Sequence, residues 1–391
     1  MSKLNEIIHN EATRRAHFPV AAERIYMAHA GVSILPKVAG DALRDYATGG
    51  ELDNQETPEV LAGVDETRTL AAKLIGSQAL EIALLGPTSL GLNLVANGLD
   101  WQVGDEVISY VDDYPANVYP WLQLQSRGVK HVALQPEMPG VITWEFVESA
   151  ITPQTRLVAL ASCHFLSGYR IDIDTIGRNL RERGILFCLD AIQTVGAFPT
   201  SVEHVDFLSA DSHKWMLGPA AAGIFYVRKS LQKELKPTLF GAWNVISPDF
   251  VAQDDMRFYV GGRRYEPGML NLPGIVSMHA SMKLLLDVGV ENIAARLIEL
   301  RQAILDRLRP LGYTLYLEEL DQSTPPDASW KSAIVAVTHP EKDLGALYAS
   351  LSENGVVVSY RKNREGTKFI RLSPHFYNTI EEIDRVAELM R

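Results

Sequence analysis

Short apolar runs alternate with amphipathic stretches along most of the chain. EIALLG, DEVISYV, HVALQP, RLVALAS, ILFCLDA, DFLSAD and AGIFYVR are each four to eight residues of mostly aliphatic or β-branched side chains, bounded by turn formers. Their length and continuity predict buried parallel strands rather than half-exposed ones. Helical patterns separate most of them, as IDTIGRNLRERG does before ILFCLDA. This alternation predicts a doubly wound α/β unit. Before it, residues 1–20 form a polar amphipathic arm. IYMAHAGVSILPKVAGDAL then predicts a short strand, a Gly turn and a helix entered through Pro36. VGGRRYEPGMLNLPG, dense in Gly and Pro, predicts a long ordered loop. Beyond it, GIVSMHASMKLLLDVGVENIAARLIELRQAILDRLRPLG is helical with a break near Gly289. SAIVAVTH, GVVVSYR and KFIRLSP predict strands of a smaller unit, with helices at DLGALYASLSENG and TIEEIDRVAELM. The expected division is 1–20 arm, 21–280 large domain and 281–391 small C-terminal α/β domain.

Composition narrows the function. The chain has 391 residues, 47% hydrophobic and 22% charged, which is globular rather than disordered and more than one core usually holds. The net charge of −11 repels polyphosphates, so no nucleic-acid partner is expected. Two cysteines, Cys163 and Cys188, exclude a disulfide scaffold and fit a reducing compartment. No signal segment or membrane-spanning run is present, and the expected location is the cytoplasm.

Four features fall just after predicted strands, where open α/β sheets bind ligands. Lys214, in SADSHKWMLGP, stands between an apolar strand and Trp215-Met216. Desolvation there lowers an amine pKa and leaves a neutral nucleophile toward an aldehyde. The plain alternative is a surface lysine in a turn. Asp190 ends ILFCLDA, where a carboxylate needs a cation or donors; a protonated pyridine nitrogen is such a partner, and Gln193 follows within reach of a ring hydroxyl. The plain alternative for Asp190 is a helix N-cap. GPTSLGLNLVANGL places Thr88 and Ser89 at a helix N-terminus, an anion site suited to one phosphate but matching neither the Walker A pattern nor GxGxxG. Tyr114 follows DEVISYV and offers a flat face for a flat ring, or simple packing. Together these supply a phosphate cradle, a ring platform, a pyridinium partner and an amine, which is the requirement of pyridoxal phosphate (PLP). A metal reading of His204, Asp206, Asp211 and His213 fails because the two histidines sit at opposite ends of one apolar strand.

At this point the chain resembles the class V aminotransferase family of fold-type I PLP enzymes, which includes cysteine desulfurases, selenocysteine lyases, isopenicillin N epimerases and kynureninase. YMAHAGVSILP, GPTSLGLNLVANGL, GDEVISYVDDYPANVYPW, LDAIQTVG, SADSHKWMLGPAAAGIFYVR, RYEPGMLNLPG and IRLSPHFYNT carry the resemblance. It implies Lys214 as the Schiff-base lysine, Asp190 as the pyridinium partner and Gln193 as donor to the ring oxygen. Thr88, Ser89, Ser212 and His213 would bind the phosphate, Tyr114 would stack on the ring, and Arg371 would clamp the substrate α-carboxylate. The family also implies a homodimer with active sites at the interface. His29 and Arg361 are expected substrate contacts, with Arg170, Trp243 and His375 as peripheral candidates, packing being the plain alternative for the last two. The reaction expected is aminotransferase-type, through an external aldimine and loss of the Cα proton. A β-eliminating C–S lyase, an epimerase, and a lapsed PLP-binding scaffold are the alternatives. An NAD-linked oxidoreductase is disfavoured because no GxGxxG follows an early strand. Three departures from desulfurases stand out: GVVVSYRKNREGTKFIR lacks their loop cysteine, Phe165 replaces an Asn, and Met269 replaces a Thr that reaches the partner subunit's phosphate.

Overall fold

The computed structural model describes residues 2–391. β1 (Ile25–Tyr26) is followed by β2 (Ile82–Leu85), β3 (Glu106–Tyr110), β4 (Lys130–Leu134), β5 (Thr155–Ala161), β6 (Leu186–Asp190), β7 (Phe207–Asp211) and β8 (Gly223–Val227). β2 to β8 form one seven-stranded sheet in the order β2-β8-β7-β6-β5-β3-β4. Every apolar run predicted in this region is one of its strands. The chain folds as the doubly wound α/β architecture that the strand–helix alternation implied, with one correction. β8 runs antiparallel to both β2 and β7. A parallel return needs a crossover of a dozen or more residues, usually helical. The link from Asp211 to Gly223 holds no helix and instead folds across the strand ends, carrying Lys214.

The helices Lys37–Leu52, Pro58–Ile75 and Leu272–Val288 pack together, and the last two contribute Leu74, Ile75, Met278 and Met282 to the main core. Thr57 caps the second of these through Val60 N–H, and Gly76 ends it at φ 71°. The predicted break at Gly289 is real, with φ 87° between Leu272–Val288 and Val290–Leu308. The Gly/Pro-rich loop is anchored by Glu266, whose carboxylate accepts from Leu84 N–H at 2.7 Å and pairs with Arg68 at 2.5 Å. Beside it Gly262 lies so close to β2 that a Cβ would fall 2.1 Å from the Ile82 carbonyl oxygen.

The C-terminal part adds β9 (Thr314–Leu315), β10 (Val335–Thr338), β11 (Val356–Val357), β12 (Ser359–Lys362) and β13 (Lys368–Leu372). β12-β13-β10-β9 is a fully antiparallel sheet, covered by Val290–Leu308 and Ile380–Leu389 around a second core. GVVVSYR, read as one strand, is split at Val358. β11 pairs parallel with β1, while β12 pairs with β13. Met27, just after β1, is buried in this second core. The segment Ala28–Val32 therefore crosses between the two cores, and the cavity lies beneath it.

Candidate active site

A cavity of about 960 Å³ opens at the carboxyl ends of β2, β6 and β7. Its far side is formed by β12 and β13, and Tyr26 to Val32 run along its edge. Thr88, Ser89, Tyr114, Asp190, His213, Lys214, Arg361 and Arg371 all line it. Eight sequence-predicted residues thus meet in one space.

The helix Thr88–Gly98 starts at the end of β2, with Pro87 as N-cap and no side-chain capping bond. Its first turn presents N–H groups and the Thr88 and Ser89 side chains to the cavity, an arrangement suited to an anion. Thr88 is also structural: its Oγ1 accepts from Asp211 N–H at 2.9 Å, and its carbonyl accepts from Ser209 Oγ at 2.9 Å. Gly91 permits this approach, since a Cβ there would sit 2.4 Å from Ser209 Oγ.

Asp190 is the last residue of β6 and is 4% exposed. Burial pushes its carboxyl up to about 6, against the pull of Lys214 and of the Ile192 N–H bond at 3.1 Å. Lys214, 6% exposed, is pushed down to about 8 by burial, with Arg371 and Arg361 adding to the depression and Asp190 opposing it. A substantial share of this amine is neutral near physiological pH, which is what a nucleophile or base requires. Its Nζ stands 5.3 Å from the centre of the Tyr114 ring. The loop that presents Lys214 is strained, with Leu217 and Ala221 at φ 56° and 59°. His213 lines the cavity with its ring held by Asp211, Nδ1 to Oδ1 at 2.6 Å, so Nδ1–H donates and Nε2 is left to a ligand.

Arg371, on β13, is 1% exposed. It donates to the Phe165 carbonyl at 2.5 Å and to Ser359 Oγ at 3.4 Å, while its Nε has no partner. Burial pushes its guanidinium down to about 9, Arg361 adds to this, and among the described residues no carboxylate offsets it. A buried guanidinium so placed is a receptor for a carboxylate.

Other expected residues stand elsewhere. Gln193 lies outside the lining: the Trp215 indole donates to its Oε1 at 2.8 Å, which fixes the amide, and Nε2 donates to the Ala30 carbonyl at 3.1 Å. Ser212 Oγ turns to the Pro219 carbonyl at 2.9 Å. His29 points away from the cavity. Its Nδ1–H donates to the Ser373 carbonyl at 2.9 Å, and its Nε2 lies 3.1 Å from the Tyr377 hydroxyl. His375 is bonded to the Trp215 carbonyl at 3.1 Å. Arg170 donates to the Lys331 carbonyl at 2.8 Å and covers the Phe198 ring, and Trp243 too is outside the lining. Met269 is exposed at the surface. Phe165 reaches the cavity and meets Tyr114 edge to face at 5.8 Å. Cys163 and Cys188 are buried outside it, and burial pushes the Cys163 thiol up to about 11. His204 and Asp206 sit near Arg181 and Arg228 at the far end of β7 from Asp211 and His213.

Two acids were not given a part in this site from the sequence, Asp211 having been weighed only as a metal ligand. Asp113 is buried, accepts from Asn117 and Tyr114 N–H at 3.0 and 2.7 Å, and is pushed up to about 7 by burial, then by the charge of Asp190. Asp211 holds His213 and accepts from Ala221 N–H at 3.0 Å. For Asp211 the available signal was an acid closing an apolar strand; Asp113, three residues past β3, gave none.

The donor set fits PLP: an amine and a carboxylate across one space, an uncapped helix start with two hydroxyls, and an aromatic face. The profile of the aminotransferase class-V family matches residues 25–386. A probable cysteine desulfurase of Methanothermobacter thermautotrophicus is 26% identical over 399 residues, 96% of each chain. The uncharacterized aminotransferase YcbU of Bacillus subtilis is 28% identical over 95% of this chain and 96% of its own. In fold, the chain matches an apo cysteine desulfurase from Thermococcus onnurineus NA1 at a TM-score of 0.87, with 23% identity and 96% of both chains covered. Matched by that profile over nearly its whole length, the protein belongs to the aminotransferase class-V family.

Proposed function

We propose that the protein is a PLP-dependent enzyme that removes the Cα proton of an α-amino acid and expels a β-substituent, a C–S lyase-type β-elimination. The observation that carries the reading is Lys214: a buried amine, lowered to about 8, in one cavity with Asp190 and Arg371. When bound, PLP supplies an aldehyde and a ring that accepts the electron pair left at Cα. Thr88, Ser89 and His213 would hold its phosphate, Tyr114 would face its ring, and Asp190 would keep a proton at its ring nitrogen. Gln193 and Ser212 would brace the loop that carries Lys214, through the Trp215 indole and the Pro219 carbonyl. Arg371 binds the substrate carboxylate in place of the absent internal acid. Lys214 would take the Cα proton and later give it to the departing β-substituent. Cleavage at Cβ, rather than the aminotransferase-type outcome, is favoured by the relative named probable cysteine desulfurase. Among the described residues no cysteine lines the cavity, so sulfur leaves without transfer to a protein thiol.

The protein acts as a homodimer in this reading. Phe240, Phe250, Val251, Met256, Val260 and Met269 are exposed along one stretch of chain, apolar surface that a second subunit would cover. The two unpaired buried cysteines fit the cytoplasm. Among the described residues no helix is long and apolar enough to cross a membrane.

Purified protein should be yellow, and borohydride should fix the cofactor on the peptide containing Lys214. With L-cysteine or β-chloro-L-alanine it should release pyruvate without any keto-acid acceptor. A colourless preparation that takes up no PLP would overturn the cofactor reading. Turnover strictly dependent on a keto-acid acceptor would replace elimination with transamination.

A further inference from the structure

Arg371 serves the α-carboxylate, yet the cavity contains a second guanidinium. Arg361 is half-buried on β12 and lines the same space. Ser359 and Arg361 are two residues apart on one strand, so they share a face about 7 Å apart. Ser359 accepts from Arg371, which puts both cations on one wall. Among the described residues Arg361 forms no ion pair, and its hydrogen bond runs to the carbonyl of its own neighbour, Tyr360, at 3.1 Å. Among the described residues Asp190 is the single carboxylate in the lining, and it stands on the opposite wall toward Lys214. The nearby acids Asp112 and Glu365 are instead close to Arg364. Beside the two arginines the lining is aromatic and aliphatic. Tyr348 stacks on Tyr360 with centroids 5.9 Å apart, and Tyr26 and Val358 complete it.

Two uncompensated guanidinium groups on one wall repel each other and Lys214. Arg361 accordingly contributes to the downward shifts of both Arg371 and Lys214. A ligand with a single carboxylate relieves only one of them. The phosphate end of the cavity is already served by Thr88, Ser89, His213 and a helix start. We infer that Arg361 is a second anion subsite, and that the substrate is an α-amino acid whose departing β-substituent carries its own anionic group. The apolar lining beside the arginines suits the segment that joins the two charges. This inference rests on the function proposed above and adds the substrate class.

The test is a titration of the PLP-loaded enzyme followed by cofactor absorbance and by calorimetry. L-Aspartate, L-glutamate and L-cysteine sulfinate are compared with L-asparagine, L-glutamine and L-alanine. At least one acid should bind about 10–100-fold more tightly than its uncharged counterpart, the range expected of a charge-assisted contact. The acid that binds best identifies the anion and the chain length. In Arg361→Gln that ratio should fall to near one, and Arg361→Lys should restore part of it. Each ratio is measured within one variant, so a misfolded preparation cannot imitate the result. Equal binding of acids and amides by the wild type, or a preference that survives in Arg361→Gln, would overturn the inference. If L-alanine perturbs the absorbance and the acids bind no better, the subsite fails while the proposed function stands. If no amino acid perturbs it, the proposed function fails first.

Discussion

One wall of the cavity is made of strand ends and the other of a strand face. On the first, Asp190 and the Lys214 loop are held by the ladder of the seven-stranded sheet, and Thr88 is tied to Asp211 by a hydrogen bond. Its charges face one another, and burial brings carboxyl and amine toward neutrality from both sides. On the second, Arg361 and Arg371 project from β12 and β13, which belong to a different core, and no internal carboxylate answers them. The first wall is electrostatically closed before any ligand arrives, and the second is open. The difference assigns invariant chemistry to the sheet and selectivity to the antiparallel wall.

Substitutions on each wall should break this contrast in different ways. The largest effect is expected from Lys214→Ala, which should lower turnover by roughly 10²–10⁴-fold while leaving non-covalent cofactor binding visible in the absorbance spectrum. Undiminished turnover would put the base elsewhere. Arg371→Met should weaken amino-acid binding by about 10–100-fold. Because it removes a buried cation without an internal counter-charge, it should leave the melting temperature of the unliganded protein unchanged or raised. A marked fall in melting temperature with unaltered binding would mean that Arg371 is structural. Gly91→Ala strikes the first wall through packing: with Ser209 Oγ at 2.4 Å and Phe225 at 2.9 Å, the helix bearing Thr88 and Ser89 must lift, at about 1–3 kcal/mol. Denaturant unfolding would show it, and an unchanged midpoint would mean that the helix yields freely.

The smallest effect is the pH dependence of stability without cofactor. Lys214 is lowered in the folded state, so the unfolded chain binds more protons between about 8 and 10.5, and stability should rise with pH across that window. Asp190 is raised, so the folded state binds more protons between 3.8 and about 6, and its contribution should fall as pH rises there. Each slope is at most about 1.4 kcal/mol per pH unit. Lys214→Met should flatten the alkaline limb and, by removing the pull on Asp190, steepen the acid one; an alkaline limb that persists would assign it to other groups.

The first wall was legible in the sequence and the second only in part, for a physical reason. Asp190, Thr88 and Lys214 follow apolar runs directly, and a strand end fixes where the next residue goes. Arg371 could be named only through family resemblance, because its partners Phe165 and Ser359 are 206 and 12 residues away. His29 illustrates the limit of a sequence register. Ala28 and Ala30 line the cavity, so alternation turns His29 to the other side, toward Ser373 and Tyr377. Asp113 went unseen because an acid in a turn is commonplace, and only its burial near Asp190 makes it unusual. The reversal of β8 was invisible for a related reason: an apolar run carries no sign of its direction.

The pairing of β1 with β11 also sets a clock on biosynthesis. Ile25 meets Val356 across some 330 residues of chain. At ribosomal rates of about 5–20 residues per second, roughly 15–65 s pass between the emergence of the two partners. During that interval the central sheet can collapse with Lys214 and Asp190 in place, while Met27 waits for the core that will bury it. The edge of the cavity made by Tyr26 to Val32 is therefore fastened last, and a nascent chain presents its lysine in an open cleft until the final strands leave the ribosome.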